Sequence, residues 1–497
     1  MLDTLGIDMP TAFFLLLALA LALGFEFVNG FHDTANAVAT VIYTNSLKPV
    51  YAVIWSGAWN LIGVLLSAGT VAYGIVALLP VELVINVGSG PGFAMVFALL
   101  LSAMIWNVGT WYLGLPASSS HTMIGSIVGV GLMNSMMSPD AAFGDGVNWA
   151  KLADTVKALV ISPVIGFVLA GLLLWVAKMV LQRYPALFQA PEGKKPPPIL
   201  VRLLLILTCT GVSYEHGSND GQKGMGLIVL ILVGIVPTAF ALDMSTPPQT
   251  LDKIRASAVA LEQSLPSPGG AEVSGASVDA AHKTLTDYLR HGQVKPETLT
   301  ALALVNSVVN HDLQGVNDFN KVAASQRRAL RLNIYLVSET LSRLIKAKKL
   351  PPQIDAAASA DYQKTLTSVT NFIPPWVKIA VAIALGFGTM VGWKRIVVTV
   401  GEKIGKAHLT YAQGASAEIV AYATIRGATA LGLPVSTTHI LSSGIAGTMV
   451  ANGSGVQKDT VRNIILAWVL TLPVCVLLGA ALFAAGLFFV LRILGVH

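Results

Sequence analysis

Residues 113–129 read LGLPASSSHTMIGSIVG, and residues 431–447 read LGLPVSTTHILSSGIAG. The two segments align from end to end without a gap. They share LGLP, a run of hydroxyl residues, a histidine and the closing glycine. An internal repeat of this length indicates that the chain contains two copies of one architecture.

A second pair of matching segments occurs in the same order along the chain. Residues 29–37 read NGFHDTANA and residues 216–224 read HGSNDGQKG, so Asp33 stands opposite Asp220. Each segment is polar, although it lies inside a longer apolar run. The two halves therefore repeat a pair of motifs, and this order supports a duplicated fold.

The spacing between the motifs differs between the two halves. The segment from Asp220 to Thr438 is more than twice as long as the segment from Asp33 to Ser120. The extra length is nearly equal to the length of the polar stretch 242–371. The second half is therefore predicted to be a copy of the first with one hydrophilic insert.

The composition is that of an integral membrane protein. Of the 497 residues, 54% are hydrophobic and 12% are charged, and the mean hydropathy is +0.68. Soluble domains contain about 25% charged residues, and several apolar runs reach the roughly 20 residues that a membrane span needs. The two cysteines, Cys209 and Cys475, lie apart in apolar segments, so neither a disulfide framework nor a metal cluster is implied. No cofactor is expected.

We predict five regions along the chain. They are the first transmembrane repeat (1–181), a basic proline-rich linker (182–202), the start of the second repeat (203–241), a hydrophilic extramembrane insert (242–371) and the remainder of the second repeat (372–497). The insert contains 14 Lys and Arg residues against 12 Asp and Glu residues. Such a segment is either a small helical domain or a partly flexible loop.

The basic residues of the short loops predict the orientation in the membrane. An outside N-terminus places eleven of them inside: Lys48, Arg183, Lys194, Lys195, Arg202, Lys394, Arg395, Lys403, Lys406, Lys458 and Arg462. With five crossings per half, the second half starts from the opposite side, so the repeats are inverted. The predicted fold is an all-α membrane protein with about ten to twelve transmembrane segments, broken helices and helical hairpins.

Both polar-centred segments indicate a binding site within the membrane. The first contains Glu26, Asn29, His32, Asp33 and Asn36, and the second contains Glu215, His216, Asn219, Asp220 and Lys223. Polar groups at membrane depth are costly and are retained mainly for function. Gly30 is a candidate break point, where a new helix N-terminus would attract anions. Two such helices in corresponding positions predict a site near the midplane.

The Gly-Leu-Pro segments are predicted to supply hydrogen-bond donors. Pro116 and Pro434 suit the first turn of a new helix, and hydroxyl residues follow each proline: Ser118, Ser119, Ser120 and Thr122, then Ser436, Thr437 and Thr438. A group of hydroxyl donors at a helix N-terminus suits a tetrahedral oxyanion, although hydroxyl residues in membrane helices also serve packing. Asp33 and Asp220 favour phosphate over sulfate, because a protonated phosphate can donate hydrogen bonds to carboxylates.

The motifs FHDTANA, GSNDGQKG and GLP(A/V)S(S/T)(S/T)H resemble those of the inorganic phosphate transporter (Pit) family of secondary permeases. The resemblance implies symport of phosphate across the bacterial inner membrane, in bacterial members often as a neutral metal–phosphate complex with protons. By motif, it places the phosphate contacts on these residues: His32, Asp33, Ser119, Ser120, Asn219, Asp220, Thr437 and Thr438.

The sequence departs from the sodium-coupled members, which carry GANDVANA-like motifs in both halves. Here Lys223 stands where the first half has Asn36, and its ammonium would compete with a cation near Asp220. The departure predicts proton coupling. Candidates for the coupling ion or proton are Glu26, Asn29, Asn36, Glu215 and Lys223. Supporting residues are Ser118, His121, Thr122, His216, Ser436 and His439.

Several assignments stay open at the level of sequence. His121 and His439 either brace their hairpins or act as a proton relay or metal ligands. Glu418 and Arg426, which lie on one apolar run, are predicted to brace each other. The expected partners are phosphate, a divalent metal such as Mg²⁺, protons and the lipid bilayer, with no nucleic acid; a homodimer is a further expectation.

Three other functions compete with proton-coupled phosphate import. They are a sulfate or other oxyanion permease of the same fold, a sodium-coupled phosphate symporter and a membrane-embedded metallophosphatase. An enzyme needs one activated nucleophile or metal cluster, which a duplicated and nearly symmetric site does not favour. A channel is also a weaker hypothesis than a transporter, because ionisable groups at a midplane site fit alternating access better. We therefore expect no enzymatic activity.

Overall fold

The computed structural model describes residues 7–79, 87–139, 141–145, 147–266 and 275–493, without the side chains of residues 34–36, 276, 491 and 493. Within these ranges the chain is helical and contains no β-strand, which confirms the predicted all-α class. In chain order the helices are α1 (Met9–Tyr43), α2 (Pro49–Leu66), α3 (Thr70–Val76), α4 (Gly90–Tyr112), α5 (Ser119–Met137), α6 (Trp149–Val180), α7 (Ile199–Ile235), α8 (Pro237–Phe240), α9 (Pro248–Ser264), α10 (Gly275–His291), α11 (Pro296–Asp312), α12 (Ala324–Lys346), α13 (Ala356–Thr370), α14 (Pro375–Met390), α15 (Lys394–Val398), α16 (Tyr411–Ala430), α17 (Thr437–Asn452) and α18 (Lys458–Phe488).

Six of the described helices are long and apolar enough to cross a membrane, judged by length and composition. They are α1, α2, α4, α6, α7 and α18. The pair α13 and α14 passes the same test only when its helices are taken together, which raises the count to seven. The chain is thus a multi-pass membrane protein, and the figure of ten to twelve segments stays a prediction.

The motif helices are continuous, so the predicted break at Gly30 is wrong. Helix α1 passes through Asn29 and Gly30 without interruption, and α7 likewise passes through its polar centre. A Cβ atom at Gly30 would collide with the carbonyl oxygen of Leu385 in α14. The glycine therefore serves the close approach of two helices.

The chain breaks instead at the two Gly-Leu-Pro segments, which form helical hairpins. Gly114 and Gly432 adopt φ values of +67° and +66°, which favour glycine. Helix α5 then starts at Ser119 with Ser118 as N-cap, and α17 starts at Thr437 with Ser436 as N-cap. The prolines precede these caps by two residues and lie in the connections, so the prediction that they occupy the first turn is wrong.

The two hairpins pack reciprocally on helices of the opposite half. Helix α5 packs on α18, whereas α17 packs on α6. Gly129 and Gly447, which the repeat aligns, make the closest approaches: Gly129 faces the carbonyl of Val476 and Gly447 that of Phe167. Equivalent residues thus make equivalent contacts in the two halves, although they lie far apart along the chain.

The insert forms much of a separate compact unit, which is built mainly from Val229–Ile373. Helices α9 to α13 share their own hydrophobic core. In that core the Tyr362 hydroxyl donates to Asn306 Oδ1 at 2.9 Å, and Asn306 Nδ2 donates to the Ala258 carbonyl at 2.9 Å. Over its described residues the segment 242–371 is therefore a helical domain rather than a loop.

Replacement of Gly63 by alanine is expected to destabilise the protein by about 1–3 kcal/mol, the usual cost of overpacking. A Cβ atom there would collide with the Tyr214 carbonyl in α7, which is backbone and cannot rotate away. The matched control is Gly109→Ala, because a Cβ atom at Gly109 meets nothing within 4 Å. Thermal unfolding of the detergent-purified protein measures both. Equal effects in the two variants would contradict the packing assignment.

Candidate functional site

Asp33 in α1 is the centre of a buried polar cluster. Its Oδ1 accepts a hydrogen bond from Thr438 Oγ1 at 2.7 Å and lies 2.9 Å from His32 Nδ1. Its Oδ2 accepts from Ser119 Oγ at 2.8 Å. All four side chains are at most 2% exposed. The first motif helix and the first turn of each hairpin helix therefore meet at one carboxylate.

Asp220 in α7 lies on the other side of Ser119. Its Oδ2 is 2.8 Å from Lys223 Nζ, 3.4 Å from His216 Nε2 and 3.4 Å from Ser119 Oγ. Lys223 Nζ also donates to Ser119 Oγ at 2.9 Å. Ser119 thus links the two aspartates, because it donates to Asp33 and accepts from Lys223. The structure brings together the central residues that sequence analysis selected from both halves.

The cluster has donors and acceptors that are not yet used. Among the described residues, Asp220 Oδ1 and Thr437 Oγ1 are buried and have no hydrogen-bond partner. Buried polar groups are usually paired, so unpaired atoms beside a charged cluster indicate where a ligand can bind. Both lie in elements that the motifs define.

A metal ion could also be held in this cluster. One ligand atom each from Asp33, His216 and Asp220 lies within 4.8 Å of the others. Carboxylate oxygens suit Mg²⁺, and an imidazole nitrogen suits transition metals such as Zn²⁺. The unpaired Asp220 Oδ1 adds a further acceptor. The donor set therefore fits a divalent cation.

Not every predicted hydroxyl faces the two aspartates. Ser120 Oγ donates to the Val435 carbonyl at 2.8 Å, which ties the first hairpin to the second. Thr122 Oγ1 donates to the Ser119 carbonyl at 2.8 Å within its own helix. Ser118 and Ser436 cap their helices. Among the described side chains, Ser119 and Thr438 are the hydroxyls with hydrogen bonds to the aspartates.

The predicted coupling residues occupy separate places. Glu26 is buried, and it accepts from the Gly224 backbone N–H at 2.7 Å and from Asn29 Nδ2 at 3.3 Å. Glu215 Oε1 lies 3.4 Å from Arg426 Nη1. The side chain of Asn36 lies outside the described residues. Glu26 and Asn29 therefore form one small group, and Glu215 forms an ion pair elsewhere.

The predicted brace between Glu418 and Arg426 is wrong. Glu418 is buried and accepts hydrogen bonds from Thr40 in α1 and Thr208 in α7. Arg426 instead reaches Glu215, as described above. Sequence spacing places the two residues on one helix but does not reveal that they point towards different neighbours.

Asn219 and the two hairpin histidines hold the hairpins in place. Asn219 Nδ2 donates to Thr429 Oγ1 at 2.9 Å and to the Leu433 carbonyl at 3.3 Å. The rings of His121 and His439 lie 4.6 Å apart, and His439 stacks on Trp468 at 4.0 Å. These contacts fit the bracing alternative for the histidines, and here Asn219 positions the second hairpin.

Sequence analysis missed two polar residues that orient the motif histidines. His32 Nε2 lies 3.0 Å from Thr110 Oγ1, and His216 Nδ1 lies 2.9 Å from Asn60 Oδ1. Asn60 in turn donates to Thr389 Oγ1 at 2.9 Å. Each is a polar residue within an apolar helix, which the sequence does show. Its role is recognisable only from the histidine that it contacts on another helix.

Comparison with known proteins identifies a family over most of the chain. A family model described as the phosphate transporter family matches residues 29–479. PitA of Escherichia coli K12, a low-affinity inorganic phosphate transporter, is 42% identical over 97% of this chain and 99% of its own. PitB of the same organism, with the same description, is 40% identical over 96% of this chain and 97% of its own.

More distant proteins extend the comparison. A probable low-affinity inorganic phosphate transporter of Bacillus subtilis is 28% identical and covers 92% of this chain and 93% of its own. A solved structure described as the sodium-dependent phosphate transporter matches with a TM-score of 0.51 and 20% identity. The match covers 95% of this chain and 98% of that one, and at this identity it shows similarity of fold.

Proposed function

Because the chain belongs to the phosphate transporter family, as its motifs predicted, and is a transporter rather than an enzyme, we propose that it imports inorganic phosphate with protons by alternating access. The observation that carries the proposal is the buried link Asp33–Ser119–Lys223–Asp220. It joins carboxylates from both halves through a hairpin hydroxyl. A phosphate bound at this link contacts the motif helices α1 and α7 and the hairpin helix α5. In alternating access these helices must separate to open the site.

The charge of the cluster favours a substrate that arrives with a cation. Two aspartates face one lysine, so the formal charges of these three side chains sum to minus one. Burial of a phosphate dianion beside an uncompensated carboxylate is costly. A divalent metal that accompanies the phosphate dianion cancels its charge, and one proton neutralises the remaining negative charge of the cluster. Transport of a neutral metal–phosphate complex with a proton agrees with this arrangement.

The residues have distinct roles in the proposed site. Thr437 donates its unpartnered hydroxyl to a phosphate oxygen, and Ser119 and Thr438 do so once they release Asp33. His32 and His216, whose rings are bonded to Asp33 and Asn60, position the carboxylates. Asp33 and Asp220 accept hydrogen bonds from a protonated phosphate or ligate the metal. Lys223 supplies a fixed positive charge where sodium-coupled relatives would hold a cation, and Glu26 is a candidate for carrying the coupled proton.

Two further parts of the proposal concern architecture. The reciprocal packing of α5 on α18 and α17 on α6 supports two inverted repeats that move against each other. The positively charged short loops support insertion with the N-terminus outside. For a bacterial permease of this kind, the membrane is the inner membrane.

Uptake of radiolabelled phosphate by liposomes that contain the purified protein tests the function. We expect uptake that follows an inward proton gradient, increases with Mg²⁺, is abolished by a proton uncoupler and needs no sodium. Uptake that requires sodium and survives the uncoupler would contradict proton coupling. Competition by sulfate as strong as that by unlabelled phosphate would favour the alternative of a general oxyanion permease.

A further inference from the structure

A basic pocket lies where the end of α4 meets the segment that follows α14. It has a volume of about 630 Å³, and its walls include Trp111, Tyr112, Lys394, Arg395 and Lys403. Leu113 and Gly114, the first two residues of the first Gly-Leu-Pro segment, also line it. The motif loop begins next to the pocket, because Thr399 Oγ1 donates to the Gly114 carbonyl at 2.8 Å.

The charge in the basic pocket is unbalanced. Three cationic side chains line it and no acidic side chain does. Lys394 and Lys403 make no ion pair within the described ranges, and Glu402, which precedes Lys403, does not line the pocket. Like charges that share a cavity repel one another. An anion that enters the pocket relieves this repulsion.

Arg395 is held in a fixed orientation. Its guanidinium carbon lies 4.8 Å from the ring of Tyr112 and 5.3 Å from that of Trp111, and its Nη1 donates to the Tyr112 carbonyl at 2.7 Å. A guanidinium held in this way loses little entropy when it binds a phosphate oxygen through its remaining N–H groups. The pocket therefore offers one oriented guanidinium group, from Arg395, and two ammonium groups on flexible side chains, from Lys394 and Lys403.

We propose that the basic pocket binds a phosphate group at a second site, separate from Asp33 and Asp220. The group belongs either to free phosphate or to the headgroup of an anionic phospholipid. Exposed apolar neighbours suit the acyl chains of a lipid, since Tyr112 is 63% and Leu113 70% exposed. Aromatic and basic side chains side by side are typical of the membrane interface.

The basic pocket is connected to the central site through Trp111. Trp111 packs on Phe31 with ring centroids 5.1 Å apart. Phe31 precedes His32, and Thr110, which contacts His32, precedes Trp111. A ligand that fixes Trp111 and Arg395 therefore restrains both elements that orient His32. Occupancy of the basic pocket should change transport even though its ligand does not touch the central aspartates.

Two binding measurements on the full-length protein in detergent distinguish the sources. The test variant is Lys394→Gln/Arg395→Gln/Lys403→Gln, and the matched control is Lys406→Gln/Lys458→Gln/Arg462→Gln, which removes three exposed charges outside the pocket. The first measurement is equilibrium binding of radiolabelled phosphate in an Asp33→Asn background. The second is native mass spectrometry after exposure to phosphatidylglycerol or phosphatidylcholine.

If the ligand is free phosphate, saturable binding remains in the Asp33→Asn protein and falls at least tenfold in the test variant. If the ligand is a lipid, the wild type retains phosphatidylglycerol but not phosphatidylcholine. The test variant then retains at least fivefold less phosphatidylglycerol than the wild type. The single variant Arg395→Lys keeps the positive charge but lacks the planar guanidinium group, so it should lose part of the binding of phosphate or of phosphatidylglycerol.

Equal loss in the test and control variants would overturn the proposal, because it would show a general effect of surface charge. Unchanged binding in the test variant would overturn it as well. Both measurements report binding rather than uptake, so they stand even if the proposed transport cycle is wrong. Elution of the variants as monodisperse protein by size exclusion verifies that they fold.

Discussion

Replacement of Asp33 or Asp220 by asparagine is expected to reduce phosphate uptake to that of empty liposomes. Asp33 Oδ1 and Oδ2 together accept from Thr438 and Ser119 and contact His32. An amide offers one acceptor oxygen and sets an NH₂ group against donors, which leaves buried groups unsatisfied at a cost of about 1–3 kcal/mol. It also removes a metal ligand and a proton acceptor.

The Asp220 variant should also lose stability, because it leaves the buried ammonium of Lys223 without its counter-ion. Loss of one member of a buried ion pair costs about 3–5 kcal/mol. This cost corresponds to more than a hundredfold change in an equilibrium constant, since each increment of about 1.4 kcal/mol is tenfold. The double variant Asp220→Asn/Lys223→Met removes both charges and should recover thermal stability without recovering uptake.

The matched control is Asp154→Asn, whose carboxylate is 66% exposed and lies 3.7 Å from an exposed lysine. Its uptake should equal that of the wild type. Undiminished uptake in both Asp33→Asn and Asp220→Asn would remove the central site from the mechanism. If stability does not recover in the double variant, then the loss in Asp220→Asn arises from something other than the unpaired lysine.

Replacement of Lys223 by asparagine is expected to change the coupling ion. The variant restores the residue that stands at the matched position of the first half, Asn36. Without the ammonium, 2.8 Å from Asp220, the cluster loses its fixed cation and becomes more negative by one charge. We expect sodium-free, proton-driven uptake to fall at least tenfold and added sodium to restore part of it.

The control for this variant is Lys157→Asn, because Lys157 is 70% exposed and makes its ion pair with the exposed Asp154. Uptake by both variants is measured in liposomes with either a sodium or a proton gradient. Uptake by Lys223→Asn that remains proton-driven and indifferent to sodium would contradict the assignment of Lys223 as a substitute for a cation.

Much of the site was predictable because polarity inside apolar sequence is itself a signal. Asp33, Asp220 and Lys223 stand out for this reason, and the structure places them in one network with Ser119. The bridging role of Ser119 was not predictable. A run of three serines looks uniform in sequence, and helix geometry alone decides that Ser119 faces the aspartates whereas Ser120 binds the Val435 carbonyl.

Two of the errors, at Gly30 and at Glu418, share one physical origin. A break is predicted at Gly30 because glycine weakens a helix, but the glycine instead allows contact with the backbone around Leu385. The prediction for Glu418 pairs it with a charge on its own helix, but its partners are Thr40 and Thr208. In each case the deciding neighbour lies on another helix, at a separation along the chain that local pattern does not encode.

The sequence by itself determined that this chain is a membrane protein with repeated motifs, because composition, polarity and internal repetition are properties of the sequence alone. The resemblance of those motifs indicated the phosphate transporter family, which the comparisons show. The tertiary structure decided which repeated residues meet. The bond from Ser119 to Asp33 spans 86 positions and that from Thr438 to Asp33 spans 405. Such contacts depend on how glycine-lined helices pack, and packing is a property of surfaces that only the folded chain brings together.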